Sequence, residues 1–283
     1  MKRNLKKYFW LFLLPITVAF IFAFLVPFCM GVGLSFTDFT TVTDATFVGL
    51  QNYITAFSNS GDFLHSLWFT ALFTVVSVIT VNVLSFLLAL MLSRGIRGTN
   101  LFRSVFFMPN LIGGIVLGYI WNLLINAVLS NFGVDITYKA EYGFWGLVVL
   151  TNWQLIGYMM VIYVAGLQNI PSDLTEAAKI DGASPIQTFF TVVFPMLKPT
   201  AITVAILNTM WIWNDYLLPY LVLGSDDKTI PVAIQLAMQG AYGSTDYGGF
   251  MAMLVLAIVP IIIFYIFCQK YIIKGVVAGA VKG

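Results

Sequence analysis

The chain has few charges, few cysteines and one histidine. Only 9% of its 283 residues are Asp, Glu, Lys or Arg, whereas a soluble domain carries roughly a quarter. Its two cysteines, Cys29 and Cys268, and its single His65 offer neither zinc-ligand spacing nor a nucleophile with a neighbouring base. These absences argue against a soluble globular domain and a hydrolase, and we expect no catalytic residues, no cofactor and no metal site.

A phosphate-binding loop is also missing. The sequence contains no G-x-x-x-x-G-K-[ST] segment, whose backbone N–H groups would cradle nucleotide phosphates. We therefore expect no enzyme and no nucleotide site in this chain. The net charge of +2 is explained by the distribution of cations described below, and we expect no binding to nucleic acid.

Apolar residues dominate instead. The chain is 60% hydrophobic, with a mean hydropathy of +0.92. A helix that crosses about 30 Å of hydrocarbon needs roughly 20 apolar residues, and backbone groups in lipid must be satisfied within the segment, which favours helices. We predict an all-α membrane protein in which residues 1–283 form one transmembrane domain, with core spans over about 64–275. The six predicted spans are Phe9–Leu34, Leu67–Leu92, Val105–Leu129, Phe144–Leu167, Thr200–Leu223 and Phe250–Tyr271.

Cations fall on one side of these spans. Of the 14 Lys and Arg, only Lys139 and Lys228 lie on the other side. The positive-inside rule makes the cation-rich side cytoplasmic, so we expect a multi-pass protein with both termini in the cytoplasm. Phe9–Leu34 is too long for the apolar core of a signal peptide, and we interpret it as a retained first helix.

Residues 171–199 form an amphipathic insert on the same side as the termini. After Pro171, the spacing of Asp173 and Glu176 is that of a capping box at the start of a short helix. Gly182 is suited to end this helix in the left-handed conformation.

A second short helix is predicted to follow. Ser184 is a favourable N-cap and Pro185 a favourable first helical residue. We expect Pro195 and Pro199 to mark where this helix gives way to the fifth span.

The insert resembles the EAA loop of membrane permeases of binding-protein-dependent ABC importers. That loop follows a pattern close to E-A-A-x-x-D-G-A, and the matching residues are Glu176, Ala177, Ala178, Asp181, Gly182, Ala183, Phe189, Pro195 and Pro199. The resemblance implies that Glu176, Ala177, Ala178, Asp181 and Gly182 couple the chain to a separate ATPase. An interfacial helix is the alternative, but its polar face would be rich in Lys and Arg, and here that face is mostly acidic.

Four further segments resemble carbohydrate-uptake permeases of the maltose and glycerol-phosphate type. They are FVGLQNYITAF at 47–57, MPN at 108–110, WIWNDYLLP at 211–219 and GAVKG at 279–283. The resemblance implies the type I ABC importer transmembrane fold and a permease subunit for a sugar or oligosaccharide. It also implies a bacterial or archaeal cytoplasmic membrane, an extracellular solute-binding protein, two ATPase subunits and a second, G-like permease. The F-x-G-L-x-N-Y element is typical of the F-like half of such heterodimers.

Polar residues within the spans suggest a solute pathway, because intramembrane polar groups usually face a cavity or the bundle interior. Trp211, Asn214 and Asp215 cluster in the fifth predicted span. By resemblance to the maltose permease, Asn110, Gly114, Tyr158, Trp211 and Asn214 fall at or near sugar-contacting positions, while an amide donor in the fourth span is replaced by Thr151, beside Asn152. The predicted pathway residues are Asn110, Gly114, Asn152, Tyr158, Trp211, Asn214 and Asp215.

Several alternatives stay open at this point. Asp215 faces either the pathway or the partner subunit, since intramembrane acids need a partner, and Gly114 serves either solute clearance or close helix packing. Asn122, Asn126 and Gln154 are interpreted as hydrogen-bonding links between helices. A secondary transporter or channel subunit for a polar solute is the alternative function, although such carriers show more paired ionisable groups and internal repeats.

Overall fold

The protein is almost entirely helical in the computed structural model. The structure describes residues 2–41, 43–58, 61–93, 97–224, 227–239 and 246–280, so the last three residues of the GAVKG segment lie outside the described part. The helices are α1 Lys2–Phe20, α2 Val26–Leu34, α3 Gln51–Ser58, α4 Gly61–Leu92, α5 Thr99–Phe107, α6 Gly114–Leu129, α7 Ala140–Gln168, α8 Ser172–Ile180, α9 Pro185–Thr188, α10 Phe194–Trp213, α11 Leu217–Val222, α12 Ile230–Met238 and α13 Tyr247–Ala280.

Shorter elements link these helices. The chain forms π-helical turns at Ile21–Leu25 and Phe189–Val193 and 3-10 turns at Met108–Leu111 and Ser130–Phe132. Two strands, β1 (Thr37–Asp38) and β2 (Thr46–Phe47), pair antiparallel with Thr37 opposite Phe47.

Six helical segments are long and apolar enough to cross a membrane, which confirms the predicted number. Within the described ranges they are Phe9–Leu34, Phe63–Leu92, Gly114–Phe132, Ala140–Gln168, Pro185–Trp213 and Tyr247–Tyr271. The third and fifth spans differ most from the sequence prediction.

The third span begins at Gly114, and the prediction of a start at Val105 was wrong. Pro109 sits in the 3-10 turn that follows α5, and the chain is extended at Ile112, with φ −75° and ψ 129°. Proline lacks the N–H that would continue an α-helical ladder. The segment 99–107 is therefore a separate helix.

The prediction that Pro195 and Pro199 separate the second loop helix from the fifth span was also wrong. One helical segment runs over Pro185–Trp213, and Pro199 lies inside α10. The π-helical turn at Phe189–Val193 ends just before Pro195. A wider π turn accommodates the clash of a proline ring with the preceding turn. Pro27 follows the π turn at Ile21–Leu25 in the same way.

The described residues divide into two compact units. One comprises residues within 1–64 and 233–260, and the other residues within 65–232 and 261–283. In the second unit the core is built on α7, whose Leu147, Leu150, Met159 and Met160 are fully buried.

Polar side chains bind α7 to α4. The Ser85 hydroxyl donates to the carbonyl of Ile156 at 3.0 Å, and the Tyr163 hydroxyl donates to Oδ1 of Asn82 at 2.7 Å. Interhelical hydrogen bonds of this kind contribute about 0.6 kcal/mol each on average in membranes. They fix α7, which runs from the loop at 171–199 to the cleft described next.

Candidate functional site

An open cleft lies among α6, α7, α10 and α11. Its volume is about 750 Å³. Most of its lining is apolar, and the polar groups are amides, one hydroxyl and one carboxylate. The lining residues are Asn110, Gly114, Thr151, Gln154, Leu155, Leu207, Met210, Trp211, Ile212, Asn214, Asp215, Leu217 and Leu218.

A break between α10 and α11 forms one wall of the cleft. Helix α10 ends at Trp213, and Oδ1 of Asp215 accepts hydrogen bonds from the backbone N–H groups of Leu217 at 3.0 Å and Leu218 at 3.3 Å. Asp215 thus satisfies donors that the start of α11 would leave without partners. The predicted span Thr200–Leu223 was wrong at this point, because a side-chain cap starts a second helix there. Asp215 both borders the cleft and fixes the break.

Small residues of α6 let α11 approach closely. A Cβ on Gly114 would come within 2.9 Å of Leu217, and one on Gly118 within 2.7 Å of Leu221. This spacing of two glycines four residues apart is typical of close helix packing in membranes. Gly114 therefore lines the cleft and also packs against α11.

Two asparagines of α6 reinforce this contact. Nδ2 of Asn122 donates to the carbonyl of Leu221 at 3.0 Å, and Nδ2 of Asn126 donates to Oδ1 of Asn122 at 2.8 Å. Their interpretation as links between helices is confirmed for Asn122, which ties α6 to the end of α11.

Aromatic rings pack beside the cleft. The rings of Tyr158 and Trp211 are 5.3 Å apart between centroids and tilted by 45°, and the ring of Phe107 lies 6.1 Å from that of Tyr158. The Trp211 side chain remains 43% exposed, so its ring offers an apolar surface to a ligand. Tyr158 packs against Trp211 and is not itself a lining residue.

On α7 the structure separates two neighbouring residues that the sequence placed together. Thr151 lines the cleft. The buried Asn152 points to α4, where its Nδ2 donates to Oγ1 of Thr80 at 2.9 Å. The same Nδ2 donates to the carbonyl of Val148, one turn earlier on α7, at 2.8 Å. Adjacent residues of an α-helix are rotated by about 100°, so one can face the cleft while the other faces a neighbouring helix. Asn152 is not among the residues that line the cleft.

Gln154 also lines the cleft, although the sequence indicated a different role for it. It was interpreted as a link between helices, and the structure places it in the cleft. Thr151, Gln154 and Tyr158 are three and four residues apart, and such residues share a helix face. This spacing was the available signal, because it groups Gln154 with the other α7 residues at the cleft.

The polar groups of the cleft are predominantly uncharged. Asp215 is the one ionisable side chain among its lining residues, and its carboxylate is engaged by backbone N–H groups. The Asn214 amide donates to the carbonyl of Met210 at 2.7 Å, which leaves its Oδ1 as an acceptor. Asn110 sits in the 3-10 turn before α6. The cleft therefore combines an aromatic surface with neutral hydrogen-bonding groups.

The loop at 171–199 carries the second group of predicted site residues. Helix α8 has Pro171 as its N-cap, with no side-chain cap. The predicted capping box was wrong, because Asp173 lies inside the first turn. The Thr175 hydroxyl instead donates to the carbonyl of Ser172 at 2.8 Å.

The end of α8 is as predicted. Gly182 has a φ of +80°, and the N–H groups of Gly182 and Ala183 donate to the carbonyls of Lys179 at 3.1 Å and Ala178 at 2.9 Å. These two bonds form a Schellman motif. The Ser184 hydroxyl then accepts a hydrogen bond from the N–H of Gln187 at 3.2 Å, which confirms the predicted start of the next helix, α9.

The surface of α8 is open. None of its residues is buried, and Glu176, Ala177, Asp181 and Gly182 are exposed while Ala178 is half-buried. Ile180 is 86% exposed and Ile186, at the start of α9, 71% exposed. Two branched apolar side chains thus flank the Schellman turn on a polar surface, where each would gain roughly 1.5–3 kcal/mol from burial.

Comparison with known proteins identifies the class of protein that this fold and loop define. Residues 83–277 match the family described as "Binding-protein-dependent transport system inner membrane component". The chain is 41% identical over 212 residues, 72% of each chain, to the probable starch degradation products transport system permease protein AmyD of Thermoanaerobacterium thermosulfurigenes. It is 32% identical over 294 aligned residues, 100% of each chain, to the multiple sugar-binding transport system permease protein MsmG of Streptococcus mutans.

A solved structure shares the fold. A chain of a bacterial ABC transporter involved in the import of the acidic polysaccharide alginate matches with a TM-score of 0.74, at 20% identity, over 95% of this chain and 96% of that chain. The protein therefore belongs to the family of inner membrane components of binding-protein-dependent transport systems, and it has the transmembrane fold of an ABC importer permease.

Proposed function

We propose that this chain is the permease subunit of an ATP-driven importer for an uncharged sugar or oligosaccharide that an extracellular binding protein delivers. The observation that carries the proposal is helix α8, which has no buried residue and is joined through the Gly182 turn to the helical segment Pro185–Trp213 that ends at the cleft. Helix α8 is the contact for a partner, and the cleft is the contact for the solute.

The lining of the cleft supports a sugar as the solute. The exposed face of Trp211 fits the C–H face of a pyranose ring, and the amides of Asn110, Gln154 and Asn214 suit its hydroxyl groups. Among the lining residues there is no Lys or Arg to pair with a carboxylate or phosphate. Relatives named for starch degradation products, multiple sugars and trehalose/maltose agree with this substrate class.

The loop supports coupling to an ATPase. Glu176, Ala177, Ala178, Asp181 and Gly182 form a small-faced surface with acidic groups at its rim, and Ile180 supplies apolar contact. An ATPase that holds α8 in a surface groove would transmit its rigid-body rotation to α9 and α10, a bistable domain movement of a common kind. Hydrolysis of ATP takes place in that partner.

A second permease completes the pathway in this proposal. The relatives include AmyC and AmyD from one organism and MsmF and MsmG from another, which supports a heterodimer of two related permeases. We further propose two ATPase subunits, from the resemblance to carbohydrate-uptake permeases, and cytoplasmic termini, from the distribution of cations. Assignment to the F-like half of such a pair remains a prediction.

Reconstitution of the complete importer tests the proposal. Uptake of labelled sugars into proteoliposomes should require ATP, the binding protein and the second permease. Trp211→Ala and Asn214→Ala should each reduce uptake about two- to tenfold, since loss of one hydrogen bond costs about 0.5–1.5 kcal/mol and loss of an aromatic contact a similar amount. ATP hydrolysis should still respond to the loaded binding protein.

The control is Ile262→Ala, which removes an exposed apolar side chain of α13 and should leave uptake unchanged. Uptake driven by an ion gradient without ATP would support the alternative of a secondary transporter. Parental uptake and sugar preference in both cleft variants would place the pathway elsewhere.

A further inference from the structure

Helix α3 presents three different faces. Successive residues of an α-helix are rotated by about 100°, so Leu50, Ile54 and Phe57 lie within about 60° of one another. These three side chains are 61%, 54% and 44% exposed, and we name them the apolar stripe. The carbonyl of Leu50 accepts a hydrogen bond from the N–H of Ile54 at 3.0 Å, which places Leu50 on the same helical path.

Of the other two faces of α3, one is polar and one is buried. Gln51, Thr55 and Ser58 occupy a face roughly 100° away from the apolar stripe. Asn52 and Ala56, both buried, occupy the remaining face. Helix α3 contains no charged residue. The helix therefore has one side for its own protein, one apolar exposed side, and one polar side on which Gln51 and Ser58 are exposed and Thr55 is half-buried.

The buried face fixes α3 to the ends of two spans. Nδ2 of Asn52 donates to the carbonyls of Ser35 and Thr37, both at 2.9 Å, immediately after the first span ends at Leu34. A Cβ on Gly248 would come within 1.9 Å of the Thr37 carbonyl oxygen and 2.7 Å of Asn52 Nδ2, so the start of the sixth span packs against the same site.

A second contact ties α3 to the span that follows it. The ring of Phe57 packs edge-on against Phe63, with centroids 6.2 Å apart, and Phe63 is the first residue of the second span. Helix α3 is thus held where three spans end, at the boundary between hydrocarbon and water.

We propose that α3 lies in the plane of the membrane surface and that its apolar stripe is seated among the lipids of that leaflet. Of the spans whose ends hold α3, the first and the sixth have few buried residues, so they also present mostly exposed apolar side chains. A helix that lies at the membrane boundary beside its own protein contacts protein on one face, lipid on a second and water on a third. The buried face, the apolar stripe and the polar face of α3 match these three surroundings. Interfacial helices bury their apolar face about 5–10 Å into the boundary between headgroups and acyl chains.

The place of α3 at the ends of three spans argues for lipid as the occupant of the apolar stripe, because the hydrocarbon of the bilayer borders the spans at that level. The apolar stripe itself offers only aliphatic and aromatic carbon, which acyl chains can cover. A neutral helix also needs no anionic lipid, so we expect seating in zwitterionic and anionic bilayers alike.

Spin-label accessibility tests this inference in the complete importer in proteoliposomes. In a background with Cys29→Ala and Cys268→Ala, a nitroxide is placed by Ile54→Cys, and the matched control by Thr55→Cys on the neighbouring polar face. Power saturation then compares collisions with oxygen, which concentrates in lipid, and with a water-soluble nickel chelate. We expect an oxygen-to-nickel ratio at position 54 several-fold above that at position 55 and close to that of a lipid-facing reference label introduced by Ile262→Cys.

Two outcomes would overturn the inference. Equal, high collision rates with nickel at both positions would place the stripe in water. Protection of position 54 from both reagents would show that another protein covers it, and repeating the measurement without the binding protein would tell whether that protein is the binding protein or a permease subunit. Neither outcome depends on whether the importer transports sugar.

Discussion

Helices α3 and α8 are short, lie outside the spans and differ in what holds them. Helix α3 buries Asn52 and Ala56 against its own chain and carries no charge. Helix α8 buries nothing and carries Asp173, Glu176 and Lys179. Because α3 follows the first span and α8 the fourth, the count of spans puts them on opposite sides of a membrane.

This difference teaches how exposure should be interpreted in a membrane subunit. On α3 the protein supplies the polar contacts of the buried Asn52, and the open surface combines a neutral polar face with an apolar stripe that lipid can cover. On α8 the open surface mixes acids, alanines and Ile180, a pattern that another protein can cover. The comparison predicts that substitutions on α8 will weaken the contact with the ATPase, whereas substitutions on α3 will lower membrane abundance or stability.

The largest expected effect is at the Gly182 turn. Gly182→Val should abolish ATP-driven uptake while the protein remains in the membrane, because an L-residue in the left-handed region costs about 1–2 kcal/mol and a β-branched one more. Gly182→Asn is the matched control, since asparagine tolerates this conformation, and it should retain most uptake. The readout is initial uptake rate against membrane abundance.

Charge reversal on α8 complements that test. Glu176→Lys should also abolish uptake, whereas Glu176→Gln should lose less, since it keeps the shape of the side chain without opposite charge. Normal uptake with both Gly182→Val and Glu176→Lys would show that α8 does not couple to the ATPase.

An intermediate effect separates the two helices directly. Ile180→Asp should reduce retention of the ATPase during purification by about tenfold or more, because burial of an isoleucine is worth roughly 1.5–3 kcal/mol. Ile54→Asp should leave that retention unchanged and instead lower membrane abundance or thermal stability in the bilayer. If Ile54→Asp releases the ATPase or Ile180→Asp does not, the contrast between the helices is incorrect.

The smallest expected effect concerns the β1–β2 turn that leads to α3. Hydrogen bonds from the Thr40 hydroxyl and the Thr41 N–H hold the pKa of Asp44 below its ordinary value of 3.8. A carboxyl with a lowered pKa stabilises the fold above that ordinary value and loses this contribution only as the pH falls through its folded-state pKa. From neutral to mildly acidic pH the turn should therefore be unaffected.

Amide exchange at Thr41 provides the measurement. Its protection, corrected for intrinsic exchange, should stay constant over that pH range and fall in Asp44→Ala. Asp44→Asn, which keeps an acceptor, should retain more protection. A loss of protection already at mildly acidic pH in the parent would contradict the assignment.

The sequence predicted those features that depend on local chemistry. The number of spans follows from hydropathy, and the turn at Gly182 and the cap at Ser184 follow from the preferences of single residues. Where the fifth span breaks was not predictable from hydropathy, because Asn214 and Asp215 sit within an apolar run and the break depends on backbone capping by Asp215.

The lining of the cleft depended on helix rotation. Asn152 and Thr151 are neighbours in sequence, and only the packing of α7 against α4 decides which one faces the cleft. The same rotation brings Gln154 into the cleft. Sequence alone gives the helical period but not its phase relative to neighbouring helices, which the tertiary fold sets.

The continuous segment Pro185–Trp213 also has a mechanical consequence. Its 29 residues make an arm of about 43 Å at 1.5 Å per residue, with the Gly182 turn beside one end and the Asn214–Asp215 break at the other. If the arm pivots at the turn, a tilt of about 10° displaces the far end by about 7.5 Å over that length. A small rotation at the loop thus produces a displacement of several ångströms at the Asn214–Asp215 break, where the arm borders the cleft.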